Sequence, residues 1–370
     1  MKTAIGPRGR LLYLLSLLAA LALVIAACDE ADTDPVDDVD DDDGVEEEED
    51  DVDEDLDDED DDDEEEEAAE EEPAEIDADF LTLATGSTGG TYYPLGGAMT
   101  EAWNDELDLN ASTQATGASV ENLRLLDAGE LELIMAVNGV AFDAYEGVGE
   151  FEGEDMDFVA LGNVYPEVLQ IVARADAGID SIEDLDGARV AIGPPGSGTE
   201  VAARELLELA GLDVDSDIDA FSETFGDATD QLQDGQVDAA FAILALPAGG
   251  IEEVATNTDI NIVNIDGEIQ EQMLADDESY SVLDVPADTY TGQADDAVTL
   301  ANWATLYAPA DFDEDLGYEL VRVMYESSDR IADTIAVGEQ IQIDTALDGL
   351  GPIPLHAGAE RYFEEQGALD

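Results

Sequence analysis

With 370 residues, the chain is long enough to form two lobes in addition to any tails, and its length argues against a single small core. Its 97 acidic residues against 10 basic residues give a formal net charge of −87, which argues against nucleic acid as a partner. The single cysteine rules out an intramolecular disulfide. The single histidine, His356, gives neither a Ser-His-Asp arrangement nor a histidine-ligated metal site, so the sequence predicts no catalysis, no cofactor and no metal.

The first 28 residues have the pattern of an export signal. The first ten residues include Lys2, Arg8 and Arg10, and an apolar run follows over residues 11–27. A transmembrane helix is the alternative, because the run is near the minimum spanning length of about 17 residues. The small residues before Cys28 resemble the lipobox of bacterial and archaeal lipoproteins, in which the cysteine carries the lipid. We therefore predict a lipoprotein signal peptide over residues 1–28, with Cys28 as the lipidated first residue of the mature chain.

The pattern of residues 29–75 predicts a disordered acidic tether. This segment contains 34 acidic residues and no basic residue. It cannot bury enough apolar surface to offset chain entropy, and its charges repel one another. It lacks the D-x-D-x-D-G pattern of a calcium loop, so no cation site is predicted in it.

The rest of the chain, residues 76–370, is also strongly acidic. Its 63 acidic residues against seven arginines leave a net charge of −56, and it has no lysine. A folded domain with this excess repels itself at low salt, because the Debye length is about 10 Å at 0.1 M and only about 3 Å at 1 M. We infer a halophilic protein, adapted to concentrated salt.

Residues 80–100 combine a strand, a glycine-rich loop and the start of a helix. Phe80–Ala84 has strand character, and Gly86, Gly89 and Gly90 can take positive φ and let a ligand approach the backbone closely. The helix that follows presents free N–H groups and its dipole to this loop, which suits an anion or a carboxylate. A tight turn without a ligand is the alternative.

The following segments alternate between strand and helix patterns. Asn138 directly follows a predicted strand, at the carboxyl end where open α/β sheets place their ligands, although a turn asparagine is the alternative. Tyr165-Pro166 is expected to separate two strands. The predicted strands are residues 110–116, 131–137, 157–161, 168–173, 189–192, 237–244, 260–265 and 298–307, and the main helices are residues 119–128, 199–210, 228–234 and 319–335. This alternation predicts an α/β fold with parallel or mixed sheets.

A second glycine loop has the sequence GPPGSGTE and begins at Gly193. Gly193 and Gly198 have the spacing of a P-loop, but Thr199 and Glu200 stand where that motif requires lysine and the magnesium-binding hydroxyl. Polyphosphate binding is therefore disfavoured. The loop amides and the hydroxyls of Ser197 and Thr199 suit a carboxylate or a carbonyl, and a turn without a ligand is the alternative. Two such loops predict two lobes that face one cleft.

Four separated sequence blocks extend from about Phe80 to the C-terminus: ATGSTGGTYYPLGGAMTEAWN, GASVENLRLLDAGELELIMAVN, VARADAGIDSIEDLDGARVAIGPPGSGTE and PLHAGAERYFEEQG. In this order they resemble the TAXI family of solute-binding proteins, which serve TRAP transporters. The order of the four blocks carries the resemblance, because the SIEDLDGARVAIG segment alone is similar to many extracytoplasmic binding proteins.

The resemblance implies an α/β, two-lobed, periplasmic-binding-protein-like fold of type II, in which each lobe is a mixed or parallel sheet flanked by helices. The chain would cross the hinge twice, so that residues 76–173 and 299–370 form lobe 1 and residues 174–298 form lobe 2. The resemblance also implies ligand contacts from both lobes. They are Thr88, Gly89, Gly90, Thr91, Tyr92 and Asn138 in lobe 1, and Ser197, Gly198 and Thr199 in lobe 2.

The same resemblance implies a function. The protein would be an extracytoplasmic receptor, lipid-anchored to the membrane, which passes its ligand to the membrane subunits of a TRAP transporter. The ligand would be a small organic acid or amino acid, of glutamate-like or 2-oxoacid type. A binding module of an ABC importer or of a sensor system is the alternative. An enzyme that acts on a small acid is disfavoured, because the sequence offers no nucleophile–base pair.

The charge excess predicts that the protein loses compactness when salt is lowered. We expect the melting temperature to rise between dilute and molar salt, because screening shortens the range of acid–acid repulsion. Thermal unfolding followed by circular dichroism at both salt concentrations measures the effect. An unchanged melting temperature would contradict the adaptation to concentrated salt.

Overall fold

The structure, a computed structural model, describes residues 80–154 and 156–369. The predicted signal peptide, Cys28 and the predicted tether lie outside these residues. Within the described residues, none of the helices combines the length and the apolar character needed to cross a bilayer.

Strands and helices alternate along the chain, as the sequence predicts. The first group consists of β1 (Phe80–Ala84), α1 (Tyr92–Leu107), β2 (Asn110–Gln114), α2 (Ser119–Asp127), β3 (Leu133–Val137) and α3 (Asn138–Glu146). The long strand β4 (Phe158–Arg174) leads to the second group, which consists of β5 (Arg189–Ala191), α4 (Gly198–Leu209), β6 (Asp219–Phe221), α5 (Phe225–Asp234), β7 (Ala239–Leu244), α6 (Gly249–Asn257), β8 (Ile260–Val263), α7 (Gly267–Asp276) and β9 (Ser281–Val285). The chain then continues through β10 (Ala297–Pro309), α8 (Glu314–Glu326), α9 (Ser328–Thr334) and α10 (Ala357–Gln366).

The strands form one mixed sheet with the order β2-β1-β3-β10-β4-β7-β5-β6, with β8 paired to β4 and β9 paired to β10. Strand β1 is parallel to β2 and β3, and β5 is parallel to β6 and β7. Between these two parallel groups, β4 and β10 pair antiparallel with each other. This arrangement is the mixed α/β architecture with two lobes that the sequence predicts.

Each lobe has a core on both faces of its part of the sheet. Two clusters of buried apolar side chains come from residues 81–165 and 304–363, apart from Ala245, and two others come from residues 168–301. The clusters change between Tyr165 and Val168 on β4, and between Ala301 and Ala304 on β10. Both strands therefore belong to both lobes. The predicted lobe boundaries, after residues 173 and 298, fall within them.

Two predicted boundaries of elements are wrong. Tyr165-Pro166 does not separate two strands, because β4 is continuous and Pro166 pairs with Trp303. The proline lies beside a register shift at Val164 and outside the part of β4 that pairs with β7, where a missing N–H group is tolerated.

The predicted helix over residues 319–335 is two helices, α8 and α9, with Ser327 between them. The Ser327 hydroxyl donates to Glu106 of α1 at 2.8 Å, and Arg330 of α9 contacts Asp105 of the same helix. These contacts with α1 override the helical periodicity of the segment.

Candidate ligand-binding site

A cavity of ≈ 70 Å³ lies between the two lobes, at the carboxyl ends of the parallel strands. Residues at the starts of α1, α2, α4 and α5 line it. These helices follow β1, β2, β5 and β6, so the alternation of strand and helix brings four helix N-termini to one place. The first N–H groups of a helix have no intrahelical partner, and the helix dipole favours negative charge there. The cavity therefore suits an anionic group of a small ligand.

The first glycine loop leads into α1 along one side of the cavity. The sequence suggested that its glycines take positive φ, but Gly86, Gly89 and Gly90 are not among the positive-φ residues of the described chain. Gly89 is instead required by space. A Cβ atom at Gly89 would lie 2.8 Å from the Cα atom of Gly226, at the start of α5 in the other lobe. The loop thus touches the second lobe backbone to backbone.

The second glycine loop forms the opposite side of the cavity. Gly193 and Gly196 do have positive φ, of 96° and 76°. Ser197 begins helix α4 as its N-cap, since its hydroxyl oxygen accepts a hydrogen bond from the Glu200 amide at 3.0 Å. The Gly196 carbonyl accepts hydrogen bonds from the amides of Val120 and Glu121 at the start of α2, at 3.2 and 3.3 Å. The two lobes are therefore in direct contact around the cavity.

The structure brings together six of the nine ligand contacts predicted from the sequence. They line the cavity from both lobes and are Gly90, Thr91, Tyr92, Ser197, Gly198 and Thr199. Thr88 and Gly89 line a neighbouring cavity of ≈ 700 Å³.

Asn138 is fully buried in a polar network. Its amide nitrogen donates to the Gly349 carbonyl at 2.6 Å, and its amide oxygen accepts from Thr305 at 2.6 Å and from Tyr307 at 2.8 Å. It lies at the start of α3, directly after β3. A contact of Thr88, Gly89 or Asn138 with a ligand stays a prediction.

Glu167 is a site residue that the sequence analysis missed. It lies on β4, lines the cavity and is only 4% exposed. The Tyr92 hydroxyl donates to its Oε2 atom at 2.6 Å, and the Tyr165 hydroxyl donates to its Oε1 atom at 2.9 Å. A carboxylate inside an otherwise apolar strand, in the segment VYPEVLQIV, was the available signal. That signal is weak, because acidic residues are abundant throughout this chain.

The electrostatic state of this cluster follows from its burial. Burial raises the pKa of Glu167 to about 7, although the two tyrosine hydrogen bonds act to lower it. Burial and the charge of Glu167 raise the pKa values of Tyr92 and Tyr165 well above the ordinary value. Both hydroxyls therefore stay protonated and remain donors to the carboxylate.

The side chains that line the cavity carry negative charge only. Glu167 and Glu223 are the ionisable acids among them, and no arginine, lysine or histidine lines the cavity within the described residues. All seven arginines of the described chain form ion pairs with carboxylates. The described residues also contain no group of three or more histidine, cysteine or acidic side chains placed to hold a metal ion.

Comparisons with known proteins agree with this architecture. A sequence model described as the NMT1-like family matches residues 83–367. MatC from Rhodopseudomonas palustris with bound malate is 15% identical, with a TM-score of 0.50, and the match covers 79% of this chain and 99% of that one. PhnD1 from Prochlorococcus marinus in complex with methylphosphonate is 10% identical, with a TM-score of 0.50, over 72% of this chain and 92% of that one. The periplasmic aliphatic sulphonate binding protein SsuA from Escherichia coli is 18% identical, with a TM-score of 0.42, over 78% of this chain and 83% of that one. The fold is the predicted two-lobed mixed α/β fold, and MatC and PhnD1 share it.

The raised pKa of Glu167 predicts that the free energy of unfolding decreases as the pH rises. The pKa is about 7 in the folded chain, against an ordinary value of 4.5. Between pH 4.5 and pH 7, Glu167 is therefore protonated in the folded state and ionised in the unfolded state. The stability that this group contributes is fully present below its ordinary pKa and is lost as the pH rises through its folded value. The expected loss is about 3 kcal/mol.

Urea unfolding of the wild type and of Glu167→Gln at pH 5 and pH 8, in molar salt, measures this loss. The variant should lack it, whereas Glu101→Gln, which makes the same charge change on the exposed face of α1, should retain it. Asp143 and Glu205 also have raised pKa values, and they contribute equally to the pH dependence of the wild type and of both variants. The effect of Glu167 is therefore the difference in pH dependence between the wild type and Glu167→Gln. Equal pH dependences for the wild type and Glu167→Gln would contradict the assignment.

Proposed function

The chain belongs to the NMT1-like family, and from this premise we propose that it is an extracytoplasmic solute-binding receptor of a TRAP-type transporter. It captures a small carboxylate or amino acid, of glutamate-like or 2-oxoacid type, in the cleft and delivers it to the membrane subunits. The observation that carries the proposal is the cavity between the two lobes, with four helix N-termini at its wall. The proposal includes no catalytic step and no cofactor.

The ligand's carboxylate binds to amides and hydroxyls of both glycine loops. Thr91 and Tyr92 contribute from the start of α1, and Ser197, Gly198 and Thr199 contribute from the start of α4. Backbone amides at a helix start hold an anion without a cationic side chain. The malate and methylphosphonate bound to MatC and PhnD1 are also small anions, which supports this class of ligand.

Closure of the lobes around the ligand is the mechanism that we propose. The loops touch the opposite lobe at Gly89 and at Gly196, so a ligand held by both loops stabilises the closed state over an open one. A ligand shifts such an equilibrium only by its difference in affinity for the two states, and contacts from both lobes provide that difference. The closed receptor then docks on the transporter.

The transporter class and the membrane attachment rest on the sequence. The resemblance of four ordered blocks to the TAXI family favours a TRAP transporter, which uses an ion gradient. The Cys28 pattern favours a lipid anchor at the extracytoplasmic face of the membrane, with residues 29–75 as a tether. The alternative is a binding module of an ABC importer or of a sensor, and gene neighbours that encode a permease, an ATPase or a kinase would distinguish these possibilities.

A ligand panel tests the binding function. We expect one class of amino acids or carboxylates to raise the melting temperature of the purified chain in molar salt, since a ligand at 100 times its Kd adds about 2.7 kcal/mol of stability. Thr199→Val removes one cleft hydroxyl and should raise the Kd of that ligand by about 10- to 100-fold, the range for loss of a hydrogen bond to a charged group. Thr256→Val, on the exposed face of α6, is the matched control. Unchanged affinity in Thr199→Val would contradict binding between the two loops.

A transport assay tests the proposed partner. In vesicles that contain the adjacent membrane proteins, we expect the chain to support ligand uptake driven by an ion gradient without ATP. The control is uptake of an unrelated solute in the presence of the ligand-free protein. Uptake that requires ATP would replace the TRAP proposal with the ABC alternative.

A further inference from the structure

Glu167, held by Tyr92 and Tyr165, has the environment of a subsite for a positively charged group. We propose that this cluster binds the ammonium group of the ligand, so that the ligand is an α-amino acid and neither a 2-oxoacid nor a hydroxyacid. The inference rests on the proposed function, because it assumes that a small acid binds in this cleft. It assigns to the cleft a specificity residue that the loop motifs do not contain.

The Glu167 carboxylate is buried at the wall of the cavity. A carboxylate that is 4% exposed is costly unless it is paired or fully hydrogen-bonded. A carboxylate accepts about four hydrogen bonds. Within the described residues, the hydrogen bonds to Glu167 come from the hydroxyls of Tyr92 and Tyr165, one to each oxygen. Acceptor capacity therefore remains on a carboxylate that lines the cavity.

Within residues 80–154 and 156–369, Glu167 has no cationic side chain as a partner. The seven arginines of the described chain form their ion pairs elsewhere, with other carboxylates. A ligand ammonium would supply both the missing positive charge and N–H donors for the free lone pairs. A 2-oxoacid or hydroxyacid of the same skeleton supplies no positive charge at this position.

The carboxylate end of the ligand needs helix amides that are not already bonded. The start of α2 is already occupied, since its amides donate to the Gly196 carbonyl. The starts of α1, α4 and α5 remain for the carboxylate, and those of α1 and α4 carry the two glycine loops. Tyr92 belongs to both subsites, because it is the first residue of α1 and its hydroxyl binds Glu167. A small ligand that carries both an acid and an ammonium, as an α-amino acid does, supplies one group to each subsite.

The cavity also disfavours ligands that are only anionic. Glu223 lines the cavity together with Glu167, and the rest of the wall includes the apolar side chains of Val137, Phe225 and Phe241. Two acids without a basic side chain repel a ligand that brings negative charge alone. A zwitterion avoids this repulsion, because its ammonium lies towards the acids and its carboxylate lies towards the helix starts.

Matched ligand sets test the inference on the full chain in molar salt at pH 8. The sets are alanine, pyruvate and lactate, and glutamate, 2-oxoglutarate and 2-hydroxyglutarate, each measured by melting shift and by isothermal titration calorimetry. We expect each amino acid to have a Kd at least about 100-fold lower than that of the matched oxoacid or hydroxyacid. This comparison needs no variant, so it does not depend on whether a substituted chain folds.

The role of Glu167 is tested with Glu167→Gln, which keeps the size of the side chain and removes its charge. We expect at least tenfold weaker binding of the amino acid, with Glu101→Gln unchanged as the control for altered net charge. An oxoacid or hydroxyacid that binds as tightly as its amino acid, or a Glu167→Gln chain with wild-type affinity, would overturn the inference and leave the receptor function standing. No binding by any member of either set would reject the small-acid receptor itself.

Discussion

Two strands that belong to both lobes determine the geometry on which the site depends. Strands β4 and β10 pair antiparallel along most of their length, and each passes from the core of one lobe to the core of the other. Glu167 lies on β4 between Tyr165, which packs in the first core, and Val168, which packs in the second. Because the backbone hydrogen bonds fix the register here, the carboxylate stays at the junction, and the loops of both lobes come together around it.

The acidic composition limits how this protein can bind an anion. All seven arginines in residues 76–370 pair with carboxylates, and the cleft has no basic side chain within the described residues. Backbone amides at helix starts are the remaining source of positive potential, and they need glycine and small residues in the loops so that a ligand can approach. The two glycine loops and the acidic surface are thus connected. For the salt-adapted receptor that we propose, basic side chains are scarce, and the loops would provide the anion contacts in their place.

The parts that could be predicted from the sequence depend on local signals. The strand, glycine loop and helix starts at both sides of the cleft were recognisable, and six of the nine predicted contacts line the cavity. The continuity of β4 through Pro166 could not be predicted, since it depends on a register shift in its pairing with a strand more than a hundred residues away. Glu167 was missed for a related reason. Its importance comes from burial and from the Tyr92 hydroxyl, 75 residues earlier in the chain, while its sequence context offers one acid among 97.

The contacts between the lobes include both uncharged backbone and acidic side chains. Asp143 of lobe 1 lies within electrostatic range of Asp277 of lobe 2, and Glu205 of lobe 2 lies within range of both. Burial, followed by the charge of Asp277, raises the pKa of Asp143 to about 6 and that of Glu205 to about 7. In the closure that we propose, these acids come together, and their repulsion has to be offset by salt, by protonation or by ligand contacts. The uncharged backbone contact between Gly89 and Gly226 adds no repulsion. In the proposed mechanism, the balance between open and closed states therefore depends on the ligand, on the ionic strength and on the protonation of these acids.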